Sequence, residues 1–544
     1  MKKITQIFIL AIVALVILYT QMPVVAYGFM GLPLMIGALT FLYIILNLRM
    51  IPQITSEKQA IQLLTSMAVP KWILIGLLLY MTVVPFATSW SLFRWNDYRG
   101  LIGTVDIGEY LSNHMAPISM DKIRVVDESL ANLLGDKVLG AQPALGSQVR
   151  LGTFVIQKVR NELYWVAPLL HSGFFKWNKN MEGTNGYVMV NACNERDVKL
   201  VQEANGHKVL IKYQPEAYFG DYLERHLYMS GFYNTGLTDY SFEIDDDGIP
   251  FWVVTKYKKT IGFYGDDATS VVVVNTETGK CTEYPIAQAP AWIDRIQPDK
   301  FIAEQLNDWG NFVKGFWNFS NENKLQITQG LSLVYGEDNR SYWYTGLTSV
   351  GADEATVGFV LVDTRTKKTV WYKQSGATER AAQNSAIGKV QEKRFSASLP
   401  IPYNINNIPT YMMTLKDNGG LVKMFAMVAI EDYTIVGVGN TLVETLMAYK
   451  NAYNMAGNKI NPKNLTRKMV LKTVVNRIQS DIKNGNSFYY FTVNGMPNIF
   501  IGSSQISNEM PVTMAGDSIL ISFDNDTSGL IDISAFKNMS MGKK

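Results

Sequence analysis

The chain has 544 residues, 47% of them hydrophobic and 18% charged, with a formal net charge of +3. That length suits several domains or one module used repeatedly, and the near-neutral balance offers no basic surface for nucleic acid. Two cysteines, Cys193 and Cys281, are too few for a disulfide scaffold, although one bridge between them stays open for a domain outside the cytoplasm.

Three apolar runs without a charged residue open the chain: ITQIFILAIVALVILY (4–19), VVAYGFMGLPLMIGALTFLYIILNL (24–48) and WILIGLLLYMTVVPFATSW (72–90). Runs of this kind predict three transmembrane helices. The first also suits a signal peptide cleaved after Ala26. An uncleaved helix is preferred, because Val24 already opens the next run. Lys2, Lys3, Arg49, Lys58 and Lys71 flank the runs on one side, and the loop 20–25 on the other side has no charge. The basic side belongs in the cytoplasm, which puts the chain from about Arg94 onward outside. Between the second and third runs, TSEKQAIQLLTSMAVP (55–70) predicts a short helix on the membrane surface. Thr55 or Ser56 would cap it, with Ala60, Ile61, Leu63, Leu64 and Met67 on one face.

Aromatic-rich strands paired with β-branched strands then recur, a pattern that predicts antiparallel hairpins. The first is ELYWVAPL (162–169) with GYVMVNACNE (186–195). The second is IPFWVVTKY (249–257) with VVVVNTETGK (271–280), and the third RSYWYTGLT (340–348) with FVLVDTRTKK (359–368). A looser fourth spans 408–432. A fifth, at 487–507, is set apart by a tight NGMP turn (494–497). Helices are expected between them: 298–313, with Phe301, Ile302, Leu306 and Trp309 apolar; 376–390; and 440–453. In the last, Thr441 and Glu444 have capping-box spacing, and Leu442, Leu446 and Tyr449 share a face. The expected fold is a membrane-anchored α+β protein, three N-terminal transmembrane helices followed by repeated helix-plus-hairpin modules.

This layout resembles the PepSY family of small extracytoplasmic modules. The residues that carry the resemblance are Asn275, Thr278, Gly279 and Lys280 in one turn, and Asp363, Thr366 and Lys368 in the other, which lacks the glycine. The resemblance implies regulatory or inhibitory modules at the cell envelope without catalytic residues of their own. Five segments are expected: an anchor (1–93), a first extracytoplasmic α+β module (94–240), tandem PepSY-like hairpin repeats (241–396), a further α+β module (397–460) and a mostly β domain (461–544).

Each chemical motif has a plainer structural reading. EIDDDGIPF (243–251) begins like a calcium loop, but Val254 stands where a bidentate glutamate is needed. GVGNTL (437–442) lacks the third glycine of a dinucleotide fingerprint, and an N-cap at Asn440 or Thr441 explains it better. GLTSVG (346–351) is one residue too long for a nucleophile elbow. His114, His171, His207 and His226 share no ligand spacing. Asp353 and Glu354, with Asp245, Asp246 and Asp247, are the carboxylates from which acid–base chemistry would be built. Trp165, Trp252 and Trp343 occupy matching places in three hairpins, as core residues or as the lining of a binding groove. The expectation is therefore an envelope protein of the cytoplasmic membrane, with its large domain outside, that binds, scaffolds or regulates a protein partner. It names no catalytic residue, cofactor or metal ligand. The alternative is an envelope hydrolase with a site assembled from distant loops.

Overall fold

A computed structural model describes residues 3–48, 57–109, 111, 115, 118, 120–336, 340–351, 355–405, 407–456, 468–483, 486–504, 506–524 and 530–541. It is a mixed α+β structure that opens with the helices α1 (Lys3–Gln21), α2 (Gly31–Leu48) and α3 (Glu57–Ser89). Two stretches among the described residues are long and apolar enough to cross a bilayer, Ile4–Gln21 in α1 and Met67–Ser89 in α3. The expected three spans are thus corrected to two. The second apolar run loses its first residues to an irregular turn. Gly28 takes φ +84 there, and the Val25 N–H donates to the Tyr233 carbonyl at 2.8 Å. The apolar helix that remains, Gly31–Asn47, is shorter. It returns along α1, with Gln6 Nε2 3.5 Å from Asn47 Oδ1. The separate surface helix expected before the third run is corrected as well: α3 runs unbroken from Glu57 through Pro70 and Pro85. Thr55 and Ser56, the expected caps, lie outside the described residues. α4 (Ser91–Gly100) follows at once, tied back by the Tyr98 hydroxyl, which donates to the Ser89 carbonyl at 2.7 Å.

The chain divides into two compact units, one of residues 1–107, 126–351 and 360–371, the other of 108–125, 352–359 and 372–544. The three larger sheets described in the first are each preceded in sequence by a helix. α5 (Glu128–Gly140) is capped by Asp127, whose Oδ1 accepts from the Leu130 N–H at 3.0 Å. Its sheet comprises β1 (Val149–Leu151), β2 (Val155–Val159), β3 (Glu162–His171), β4 (Tyr187–Asn191) and β5 (Val198–Val201). The order is β1-β3-β4-β5, with β2 also on β3. α6 (Leu223–Met229) precedes β6 (Gly236–Ile244), β7 (Pro250–Ile261), β8 (Tyr264–Asn275) and β9 (Cys281–Pro285), a meander in chain order. α7 (Asp299–Asn311) precedes β10 (Leu325–Ile327), β11 (Ser332–Tyr335), β12 (Ser341–Ser349), β13 (Gly358–Asp363) and β14 (Thr369–Tyr372). Here the order is β10-β12-β13-β14, with β11 on β12 and the short strand Val105–Gly108 outside β14.

The β8 valines show why these strands read as continuous apolar runs. Val272 and Val274 pack with Phe242, Trp252, Leu223 and Leu227 on one face. Val271 and Val273 pack with Ile293 and Ile296 on the other. Both faces are covered, so the polar alternation of a half-exposed strand is lost. On α7 the expected stripe is found: Phe301, Ile302 and Leu306 are buried, and the last two meet Trp343, Leu347, Val360 and Val362.

In the second unit α8 (Glu379–Gly388) precedes β15 (Ser396–Ala397), β16 (Ile401–Ile405), β17 (Ile408–Lys416), β18 (Val422–Ala429) and β19 (Val436–Gly439). The order is β15-β17-β18-β19, with β16 on β17. α9 (Leu442–Met455) starts at the expected N-cap: Thr441 Oγ1 accepts from the Glu444 N–H at 3.2 Å, while Glu444 Oε2 reaches past the cap and accepts from the Asn440 N–H at 3.0 Å. Gly437 and Gly439 let it lie close, since a Cβ there would come 2.2 Å from Tyr449 N and 2.6 Å from Thr445 N. The last strands, β20 (Lys468–Lys483), β21 (Asn486–Val493), β22 (Met496–Ser503), β23 (Ser518–Asp524) and β24 (Leu530–Asn538), close a barrel in the order β20-β21-β22-β24-β23. Phe491, Phe500, Phe523 and Ile521 fill it. The hairpin expected at 487–507 is the β21–β22 pair, turning at Gly495 with φ +86.

Candidate functional site

The repeated turn sentence builds a defined hydrogen-bond frame. After β8, Asn275 Oδ1 accepts from the N–H groups of Glu277 (3.1 Å) and Thr278 (2.9 Å). The Asn275 N–H donates to the Lys280 carbonyl at 3.0 Å, and Gly279, at φ +72, donates to the Asn275 carbonyl at 3.0 Å. The Thr276 carbonyl accepts from Lys212 and Tyr213, both at 3.0 Å. Trp252 Nε1 then donates to the Tyr213 carbonyl at 2.8 Å.

The turn after β13 carries the matching bonds. Asp363 Oδ1 accepts from Arg365 (3.0 Å) and Thr366 (2.7 Å). The Thr364 carbonyl accepts from Ile296 (3.0 Å) and Gln297 (2.7 Å), and Trp343 Nε1 donates to the Gln297 carbonyl at 2.9 Å. After β4, the Ala192 carbonyl accepts from Val126 at 3.0 Å, and Trp165 Nε1 donates to the Val126 carbonyl at 2.8 Å. In the second unit the Ile430 carbonyl accepts from Ala377 at 2.7 Å, and the Tyr411 hydroxyl donates to the Ala377 carbonyl at 3.3 Å. In all four places an aromatic residue of the strand next to the one that leads into the turn secures backbone N-terminal to the segment's helix.

The three tryptophans are not brought together. Trp252 is buried among Phe242, Val254 and Val272. Trp343 is buried in a separate cluster, against which the half-buried Trp165 packs.

A cluster that sequence reasoning missed lies in the first unit. β6 turns Phe242 and Ile244 into the core, and Glu243 to the opposite face, where it is 1% exposed. Among the described residues neither carboxyl oxygen has a partner at hydrogen-bond geometry. Burial pushes its pKa up to about 8, with Arg295 acting against and Asp294 with the shift. Beside it, Gln157 Oε1 accepts from the Ile244 N–H at 3.0 Å, while the buried Gln157 Nε2 has no hydrogen-bond partner among the described residues. Burial likewise lifts Asp294 to about 6, although it accepts from the Lys158 N–H (2.7 Å) and the Tyr335 hydroxyl (3.2 Å). Burial opposes the Arg295 charge, but the Asp239, Glu243 and Asp294 carboxyls hold its pKa above the ordinary value. Arg295 also donates to Ser241 Oγ at 3.3 Å. Perturbed carboxyls mark candidate functional sites. These join β2, β6, β11 and the segment before α7, so the same groups also hold three sheets in register. The available signal was a glutamate between two core positions of an apolar strand.

The remaining motifs serve local structure. Asp245 Oδ1 accepts from Asp247 (3.0 Å) and Ile249 (2.9 Å), closing the β6–β7 turn. Among the described residues no group of three or more His, Cys, Asp or Glu side chains could hold a metal ion. His226 on α6 bonds the Gly279 carbonyl through Nε2 at 2.7 Å and packs on Tyr213. His171 is buried, its Nε2 without a hydrogen-bond partner among the described residues, and burial holds its pKa below the ordinary value. His207 is exposed, and Ser349 of the near-elbow sits exposed at the end of β12. His114, Asp353 and Glu354 lie outside the described residues. Cys193 and Cys281 are not joined in a disulfide. No protein-family model matches this chain, and no curated protein matches it.

Proposed function

We propose that the chain is a membrane-anchored cell-envelope protein that binds, scaffolds or regulates a protein partner through four copies of one PepSY-like helix-plus-meander module outside the cytoplasm. The observation that carries this reading is the recurrent frame. Val126, Tyr213, Gln297 and Ala377 each receive an aromatic side chain, from Trp165, Trp252, Trp343 and Tyr411. Long-range bonds of this specificity arise most simply from duplication of one folding unit. Strands and helices with varied surfaces on a constant frame are what a binding array uses. The apolar stretches of α1 and α3 supply the tether. Arg49 and Lys58 stand in sequence between the two apolar stretches, and a cytoplasmic place for them favours an extracytoplasmic domain after α3.

Photocrosslinking in cells, followed by purification in mild detergent, should recover one envelope protein attached to the module surfaces. Turnover of a cell-wall polymer by the purified chain, without such a partner, would replace this reading with the hydrolase. The orientation has its own test. A reporter active only outside the cytoplasm should be active when fused after Lys544 and silent when fused at Lys58; the reverse pattern would overturn the localisation.

A further inference from the structure

A row of aromatic rings continues outward from the end of α3. Phe86 stacks on Trp90 at 4.6 Å, and Trp90 meets Phe93 edge-on at 5.4 Å. The loop after α7 brings Phe316 to 6.5 Å from Trp90. Phe316, Trp317 and Phe319 then pack edge-on against one another at 5.4, 6.2 and 5.7 Å. This cluster faces solvent: Trp317 is 69% exposed and Phe319 72%, and Phe86 and Phe93 are exposed as well. The β7–β8 turn approaches the same helix end. Its Phe263 N–H donates to Ser89 Oγ at 2.9 Å, and its Phe263 ring packs on Tyr27 and Tyr80 at 5.5 and 5.6 Å.

Large exposed apolar clusters on a folded domain mark interaction surfaces. Continuity with the end of an apolar helix identifies the occupant. Tryptophans such as Trp90 and Trp317 gather where the bilayer meets water, with an apolar body toward the acyl chains and the indole N–H toward the headgroups. We propose that the loop at 315–319 inserts into the lipid interface at the C-terminal end of α3. Together with Trp90 and Phe93 it holds the first unit against the bilayer surface rather than swinging on a tether. This rests on the reading of α3 as a membrane span.

The test uses the full chain in phosphatidylcholine–phosphatidylglycerol vesicles. In a Cys193→Ser, Cys281→Ser background, single cysteines are introduced by Trp317→Cys, Phe319→Cys, Leu79→Cys in α3, and Asn205→Cys in an exposed turn. Each is labelled with a polarity-sensitive fluorophore. Lipids spin-labelled near the headgroup should quench the probes at 317 and 319 several-fold more than the probe at 205. Lipids labelled deep in the acyl chain should quench the probe at 79. Quenching at 79, with 317 and 319 behaving like 205, would overturn the loop insertion and leave the anchor standing. No lipid quenching at any position would overturn the anchor itself. Shielding of 317 from aqueous iodide without lipid quenching would assign the patch to a protein and overturn the lipid occupant. The loop side chains are exposed, so these substitutions leave the core intact, and 319 is a second reading should 317 fold poorly.

Discussion

The turns after β8 and β13 make the same bonds but fill the left-handed position differently, with Gly279 at φ +72 in one and Lys367 at φ +64 in the other. The neighbours explain the choice. A Cβ on Gly279 would come 2.5 Å from the Tyr213 ring and 2.9 Å from His226 Nε2, so both backbone and space require glycine. Around Lys367 the side chain is anchored instead: Nζ donates to Asp267 Oδ1 and, at 2.8 Å, to the Leu101 carbonyl. A left-handed non-glycine residue costs roughly 1–2 kcal/mol, and this partly buried ion pair offsets much of it. The frame is set by the Asn or Asp side chain and the carbonyl that follows it. The residue at the bend answers only to its local packing.

The comparison is sharpened most by the tryptophans. Trp252→Ala and Trp343→Ala should each destabilise the purified chain by about 3–5 kcal/mol, as buried aromatic truncations do. Similar losses in denaturant melts would make the two frames equivalent. Near-wild-type melting of either variant would separate them and make that tryptophan a surface residue. Next in size, Gly279→Ala should cost about 2 kcal/mol or more through strain and crowding, read as a lower urea midpoint at unchanged slope.

Glu243 probes what the second sheet carries beyond its frame. Its folded pKa, about 8, lies above the ordinary 4.5, so the folded state keeps a proton that the unfolded chain releases. Its contribution is complete below about 4.5 and is lost as pH rises through about 8. Glu243→Gln should therefore melt higher than wild type at pH 8 by the equivalent of about 1 kcal/mol or more, with the gap closing toward pH 5. An unchanged pH slope would place the titration on another group. The smallest effect is expected of Lys367→Gly, which relieves the left-handed strain and loses the ion pair. Its net change should stay within about 1 kcal/mol in either direction, and a loss as large as that of Gly279→Ala would show that the two bends are held alike.

Much of the local structure was legible. The strand pairs around Trp165, Trp252, Trp343 and Tyr411, the stripe of α7 and the N-cap of α9 all come from short-range periodicity and spacing. The start of α2 was not. Its run is apolar throughout, and only the bond from Val25 to Tyr233 shows where helix gives way to turn. α3 hid its continuity behind Pro70, because a proline marks a break in sequence yet sits inside this 33-residue helix. Of the candidate site, Glu243 was read only as the first residue of a stretch that begins like a calcium loop. Its relation to Asp294, Arg295 and Gln157 joins elements 50 to 140 residues apart, roughly, and no local pattern encodes that.

The sequence by itself determined the apolar segments, the hairpins and the α+β class, because hydrophobic period, turn chemistry and caps act over a few residues. Only the tertiary structure decided how many helices are long enough to span, that Trp252 and Trp343 sit in separate cores, and that five strands close a barrel through the parallel pairing of β22 with β24. It also decided that a glutamate is buried beside an arginine. These outcomes depend on which distant surfaces exclude water from one another, and that is a property of the packed chain rather than of any one stretch.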